Sequence, residues 1–310
     1  MTTLRRAVQD YLALRRAMGF KLKHPGTALS DFVCFLEREG VCHITIDLAV
    51  RWAKQSQHAH PAWWAKRLSY VRHFAQYRSA TDPRTEVPPS GLLPHKRQRP
   101  APYIYTDEEI RRLLEAAKNL SPPKSLHRWT YYTIFGLLVV TGIRISEILA
   151  LNREDVDLEQ DLLTIRLTKF GKSRLVPIHE STRNVLKQYA RQRDVLQPTR
   201  MTSGFFISRA GKRLSSSTVR STFLRLSSRI GLRDASRKIK PRLHDFRHHF
   251  AVDTMMHWYR SGLEVERHLP VLSTYLGHTH VAHTYWYLSA VPELLALAGA
   301  RLEKRWEGLP

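Results

Sequence analysis

Four stretches near the start of the chain, LRRAVQDYLALRRAMGF, ALSDFVCFLEREG, IDLAVRWAKQSQ and AWWAKRLSYVRHFAQYRSA, bring an apolar residue back every three or four positions. That period belongs to helices that bury one face, and four in succession predict a compact helical domain. The period then stops. TDPRTEVPPSGLLPHKRQRPAPYIYTDEE, residues 81–109, concentrates proline and basic side chains without a helical repeat, as a connection between domains does. The pattern predicts a helical domain over 1–85, an interdomain linker over 86–104 and a second domain over 105–310.

The second domain opens on YTDEEIRRLLEAAKNL, where Thr106 can cap a helix whose first turn is acidic. In LLTIRLTKFGKSRLVPIHE the period changes from helical to two: Leu163, Ile165 and Leu167 alternate with polar neighbours, the chain turns through KFGKS and resumes as RLVPI. This predicts a β-hairpin with Lys169 and Lys172 at its tip. Helical spacing returns in STRNVLKQYARQRDVL, SSTVRSTFLRLSSRIG and LHDFRHHFAVDTMMHW. The fold class expected is mainly α with a small β-hairpin or sheet, α+β, in two domains. The tail AVPELLALAGARLEKRWEGLP carries a further apolar face through Leu294, Leu295, Leu297 and Leu302.

Charge narrows the partner. The 310 residues hold 50 Lys and Arg against 27 Asp and Glu, a formal charge of +23, spread over both predicted domains. Nucleic acid is the partner such a surface suits. The last helical stretch of the first domain interleaves Trp63, Trp64, Tyr70 and Phe74 with Lys66, Arg67, Arg72 and Arg78, as a helix facing both a core and a phosphate backbone would; an ordinary core under a solvated basic face fits the same pattern. Cys34 and Cys42 have neither zinc-ribbon nor disulfide-framework spacing, which suits a reducing compartment. The apolar run FGLLVV at 135–140 falls far short of the ~20 residues that span a bilayer, and the N-terminus lacks an apolar signal core. A cytoplasmic protein without a membrane partner is expected.

Three short motifs carry candidate chemistry. TGIRISEILAL, residues 141–151, turns at Thr-Gly and sets Arg144 near the start of a new helix, where an arginine suits an anion. LHDFRHHF places His244 and Arg247 three apart, on one helix face. LGHTHVAHTYWYLS, residues 276–289, puts Tyr287 nine positions after His278.

An arginine, a hairpin lysine, His-x-x-Arg, Leu-Gly-His and a tyrosine, in this order, resemble the tyrosine recombinases, the integrase family of site-specific DNA recombinases. The motifs span roughly residues 135–290; the helical N-terminal domain resembles the family's SAM-like core-binding domain in layout. The resemblance implies a two-domain C-shaped clamp with a C-terminal catalytic domain. It implies Arg144 and Arg247 as a clamp on the scissile phosphate, where permanently charged planar forks meet developing negative charge. Tyr287 becomes the nucleophile, its phenol (ordinary pKa ~10) needing positive surroundings and a base. His244 becomes proton acceptor or shuttle and His278 a donor to a phosphoryl oxygen. The leaving 5′-oxygen needs an acid; Lys169 or Lys172 could serve, and the family's hairpin pattern points to Lys169. Lys66, Arg67, Arg72, Lys172 and Arg174 are candidate DNA contacts, and Glu147 a buttress for Arg144 or its neighbours. Tyr285, Trp286 and Trp258 are expected to pack, and His248, His249, His280 and His283 to be surface or secondary hydrogen-bonding residues.

The histidines could also be imagined around a zinc or copper ion, but no cysteine is near, Asp245 is the only carboxylate within either short stretch, and Arg247 would repel a cation. No metal is expected. With no Walker-type phosphate loop, and with a 3′-phosphotyrosyl bond conserving the phosphodiester energy, no cofactor is expected either. The family reading further implies double-stranded DNA with specific recombination sites, a homotetramer on two sites with tail exchange, a nucleoid location, and a role in a mobile element or a chromosome. A type IB topoisomerase and a non-cleaving DNA-binding regulator are the alternatives. Two departures bear on subfamily: His283-Thr284 and Ser289 stand where many members have two threonines and a histidine, and HWYRSGLEVERHLPVLSTYLGH is long.

Overall fold

Each of the four periodic stretches at the start of the chain is a helix: α1 (Leu4–Ala17), α2 (Lys23–Arg38), α3 (Ile46–Lys54) and α4 (Pro61–Arg78). Local chemistry fixes their starts. The Thr3 and Thr45 hydroxyls accept from the backbone N–H groups of Arg6 and Leu48, and His60 caps α4 with Pro61 in the first turn, a position where its missing N–H costs nothing. Leu29, Phe32, Leu36, Trp52, Val71 and Phe74 are buried between them. The computed structural model describes residues 3–56, 59–93, 101–166, 173–199, 201–234, 236 and 239–307, and the chain divides into two units, Met1–Arg99 and Pro100–Pro310.

The proline-rich segment after α4 is not simply a tether. Glu86 joins Ile44 by backbone and Ile46 by its carboxylate, Arg72 donates to the carbonyls of Pro88 and Pro89 at 2.7 Å each, and Val87 and Leu93 pack on the helical core. Prolines cannot donate, so an arginine satisfying their carbonyls lets an aperiodic strap lie against a helix.

Near the start of the second unit Tyr105 stacks on Phe246 (4.4 Å, 12° between planes) and donates to the Arg242 carbonyl. α5 (Asp107–Lys118) follows with the expected Thr106 cap, completed by Glu109 into a reciprocal capping box. The buried α6 (Leu126–Thr141) ends at Gly142, whose φ of +58° is left-handed, and short α7 (Ile145–Ala150) starts three residues on. The hairpin is present and gains an edge: β1 (Val156–Asp157), β2 (Leu162–Ile165) and β3 (Arg174–Pro177) form one antiparallel sheet in the order β1-β2-β3, with Leu163 opposite Val176 and Ile165 opposite Arg174. Its tip, with Lys169 and Lys172, lies outside the described residues. Then come α8 (Glu180–Leu196), α9 (Ser216–Arg229), α10 (Asp245–Arg260), α11 (Val265–Leu276), α12 (Ala282–Ala290) and α13 (Pro292–Glu307). The expected mainly α fold with a small sheet is the one observed. One core runs from α5 through the sheet to α9 and Phe246; a second lies beneath α10 to α13, where Met255, Leu269, Leu276, Tyr287 and Leu294 are buried together.

Candidate active site

The site is built around the last turn of α11. Carbonyls at a helix C-terminus lack intrahelical partners and carry the negative end of the helix dipole. Three successive carbonyls there are each taken by an arginine from a different element. Arg174 on β3 donates through Nε to Tyr275 (2.8 Å), Arg247 on α10 through Nη2 to Leu276 (2.6 Å), and Arg144, at the start of α7, through Nη2 to Gly277 (3.1 Å). Arg247 also donates to the Gly142 carbonyl at 3.1 Å, tying the turn before Arg144 to the same point. Both glycines are required. Gly277 holds φ +68°, and a Cβ there would sit 2.8 Å from Arg174 Nη1; at Gly142 a Cβ would stand 2.6 Å from the Phe250 ring.

Glu147 holds this cluster of positive charge together. Its buried carboxylate accepts from Arg144 Nη1 (2.8 Å), from the Arg144 backbone N–H (3.0 Å) and from both Arg174 Nη atoms (2.8 and 3.2 Å). Burial pushes the carboxyl up, but the hydrogen bonds and charges of Arg174 and Arg144 outweigh it and hold the group below the usual range. The buttress role expected for Glu147 is thus met, and it extends to Arg174. Arg247 is 2% exposed; burial first, then the charge of Arg144, push its pKa down to about 9, while Tyr287 and Glu147 pull the other way.

His244 stands at the N-terminus of α10 and keeps part of its surface exposed. Loss of water around the ring, followed by the charge of Arg247, brings its pKa down to about 4, so the imidazole is neutral near pH 7. His278 leaves the Gly277 turn with Nδ1 2.8 Å from the hydroxyl of Thr284, a residue with no exposed surface. Tyr287, on α12, is 1% exposed and lies within electrostatic reach of Arg247. Its hydroxyl is 2.8 Å from Nδ1 of His248. Arg144, His244, Arg247, His278 and Tyr287, drawn from three separate stretches, are therefore gathered at the junction of α7, α10, α11 and α12.

Several expectations change. His248 and His249 are buried rather than superficial, at 4% and 8% exposure, because α10 is sandwiched between α6 and the C-terminal helices. His280 and His283 are exposed, as expected. Trp286 packs against the rings of His248 and Tyr287, and Trp258 against His268, but Tyr285, expected to pack, is 47% exposed, on the same helix that buries Tyr287. Arg174, expected to meet DNA, is an internal residue: it shares the inward face of β3 with buried Val176. In the first unit Arg67 lies 3.9 Å over the Trp52 ring and pairs with Asp31, and Arg72 is spent on the proline strap. Lys66 is exposed, its ammonium 5.3 Å over the Tyr70 ring. Asp245, the carboxylate nearest the histidines, is fully buried and engaged by Arg242. Among the described residues no three His, Cys, Asp or Glu side chains form a metal-holding group.

Residues 104–293, spanning this whole arrangement, match the sequence profile of the Phage integrase family. The chain belongs to that family. A second finding agrees: the y4rB protein of Sinorhizobium fredii, which bears the name integrase/recombinase, is 50% identical over 311 residues, 99% of each chain. The tyrosine recombinase XerD of Bradyrhizobium diazoefficiens is 29% identical over 245 residues, 74% of this chain and 72% of its own. The fold is similar to that of the Tn1549 transposon integrase solved with transposon right end DNA, with a TM-score of 0.67, 16% identity, and coverage of 98% of this chain and 99% of that one. This member of the phage integrase family is thus a tyrosine recombinase, an enzyme that breaks and rejoins DNA at specific sites.

Proposed function

We propose that Tyr287 is the nucleophile of this recombinase, attacking a DNA phosphate held by Arg144 and Arg247. The observation that carries the reading is the gathering of two guanidiniums, His278 and the Tyr287 phenol at one helix end. As the Tyr287 oxygen bonds to phosphorus, the bond to the 5′-oxygen breaks, leaving a 3′-phosphotyrosyl link and a 5′-hydroxyl; the hydroxyl of a partner strand reverses the step. Charge on the non-bridging oxygens grows during attack, and preformed donors that need no reorganisation stabilise it. His278, its ring set by Thr284, donates to one of those oxygens, and neutral His244 carries protons at the solvent edge. Lys169 supplies the proton to the 5′-oxygen by resemblance to the family; Lys172 and Lys66 are phosphate contacts. Residues 1–85 serve as the core-DNA-binding domain and 105–310 as the catalytic domain, joined through 86–104.

The reading extends to assembly. Leu295 and Leu302, at 59% and 56% exposure, and Trp306 at 72% line one stripe of α13 by their spacing of seven and four, while Leu294 on another face is fully buried in its own chain. An exposed apolar stripe on a terminal helix fits docking on a neighbouring protomer, and a homotetramer on two double-stranded sites follows. A mobile element acting in the cytoplasm, at the nucleoid, is the setting proposed.

The test places DNA flanking the gene on a plasmid as one copy or two. Rearrangement that requires two copies supports the proposal. Relaxation with a single copy points to a topoisomerase, and binding without strand breakage to a regulator.

A further inference from the structure

We propose that His248 is the residue that takes the phenolic proton from Tyr287 during strand cleavage and returns it during rejoining. This rests on the reading of Tyr287 as nucleophile and adds a catalytic residue to the set above. A general base must lie within hydrogen-bond reach of the proton it removes. His248 Nδ1 is 2.8 Å from the Tyr287 hydroxyl. The two rings meet at 61° with centroids 5.4 Å apart, and Trp286 lies against both, 5.7 Å from His248 and 5.3 Å from Tyr287. With both side chains almost wholly buried, bulk water does not compete for that hydroxyl.

The neighbouring histidines are placed for other work. His278 Nδ1 faces Thr284. His249 turns towards Tyr105, its ring edge-on at 6.4 Å. His244 is one helical turn before His248, their rings edge to face at 4.8 Å, with His244 open to solvent. A proton accepted at buried His248 therefore has a second imidazole beside it at the solvent edge. Arg247, next in sequence to His248, brings the phosphate clamp and the proton acceptor from a single turn of α10.

The step balances without another reagent. The Tyr287 O–H bond breaks and its proton bonds to Nδ1 of a His248 ring whose own proton is on Nε2; the phenolic oxygen bonds to phosphorus, and the phosphorus to 5′-oxygen bond breaks. The 5′-oxygen is protonated by a separate acid, assigned above to Lys169. In rejoining, the imidazolium returns its proton to the departing phenolate as the 5′-hydroxyl of the incoming strand attacks.

The experiment measures single-turnover formation of the covalent protein–DNA adduct on a nicked duplex carrying the site identified by the plasmid assay. His248→Asn sets an amide oxygen near the place of Nδ1, able to accept a hydrogen bond but not a proton. With its thermal melt unchanged, this variant is expected to form adduct more slowly by about 10²-fold or more, the usual worth of a positioned base. Placing 3,5-difluorotyrosine at 287, which makes the phenol more acidic, is expected to recover part of that loss. A 5′-bridging sulfur, which leaves without an acid, is expected to rescue Lys169→Ala but not His248→Asn. In the unsubstituted protein, 15N-histidine spectra should show His248 protonated at Nε2 with Nδ1 bare, a result that does not depend on any variant folding. Wild-type rates in His248→Asn, rescue of that variant by the sulfur leaving group, no gain from the fluorinated ring, or a proton on Nδ1 would each overturn the inference while leaving Tyr287 as nucleophile. An unsubstituted protein that forms no adduct overturns the reading of Tyr287, and this inference with it.

Discussion

Arg144 and Arg247 donate to neighbouring carbonyls of one turn, Arg144 to Gly277 at 3.1 Å and Arg247 to Leu276 at 2.6 Å. The two guanidiniums proposed to hold a phosphate are thus oriented by the negative end of α11. Pre-organisation of this kind removes the cost of arranging the donors during reaction.

The turn depends on Gly277. An alanine there must hold φ near +68° with its Cβ against the Arg174 guanidinium. Gly277→Ala is expected to lose about 1–2 kcal/mol to the left-handed backbone alone, with further loss as Arg174 shifts. Chemical denaturation measures the first effect, and a fall in cleavage larger than any fall in DNA binding the second.

Glu147 pairs with both Arg144 and Arg174. Removing one partner of a buried pair leaves the other uncompensated, so Glu147→Gln is expected to destabilise by about 3–5 kcal/mol. The sign with pH follows from the lowered carboxyl pKa: the contribution is complete above the unfolded value of about 4.3 and fades as pH falls through the lower folded value. Unfolding free energies from pH 7 downward should show a shallower acid decline in the variant.

His244 gives a separate window. Its folded pKa of about 4 lies below the unfolded value of about 6.5, so between these values the unfolded chain binds more protons and acid favours unfolding. His244→Gln is expected to lose less stability than the parent between pH 6.5 and 4. Equal losses in the two proteins would show that His244 titrates normally.

Thr284 fixes the His278 ring from a fully buried position. Thr284→Val keeps the shape and deletes the hydroxyl. Its expected cost is about 1 kcal/mol in stability and up to about 10²-fold in cleavage, the scale of a small misplacement of a reacting group. A thermal melt and adduct kinetics separate the two.

Much of this was legible from the chain because the signals are local. Helical period gave α1 to α5 and α8 to α10, and alternation gave β2 and β3, whereas α11, with Pro270 inside it, and short α12 carry no such signal; the step of nine from His278 singles out Tyr287 over Tyr285 by spacing alone. The inward turn of Arg174 was also written in alternation, since it shares parity with Val176 on β3, but a basic residue beside a lysine-rich turn reads as a DNA contact. His248 was harder. Its spacing of four from His244 puts both on one face of α10, yet nothing local says that α12 will lay Tyr287 against that face, a contact across 39 positions. The proline strap over 86–93 escaped for a related reason: its order comes from Arg72 and Glu86, not from any repeat of its own.

The central claim, that Tyr287 forms the bond to DNA, is tested most directly by isolating the covalent adduct on a nicked target duplex, digesting it and sequencing the nucleotide-bearing peptide by mass spectrometry. The nucleotide is expected on Tyr287 within AHTYWYLSA, with no adduct from Tyr287→Phe. An adduct carried on Tyr285, or one that persists in Tyr287→Phe, would contradict the account.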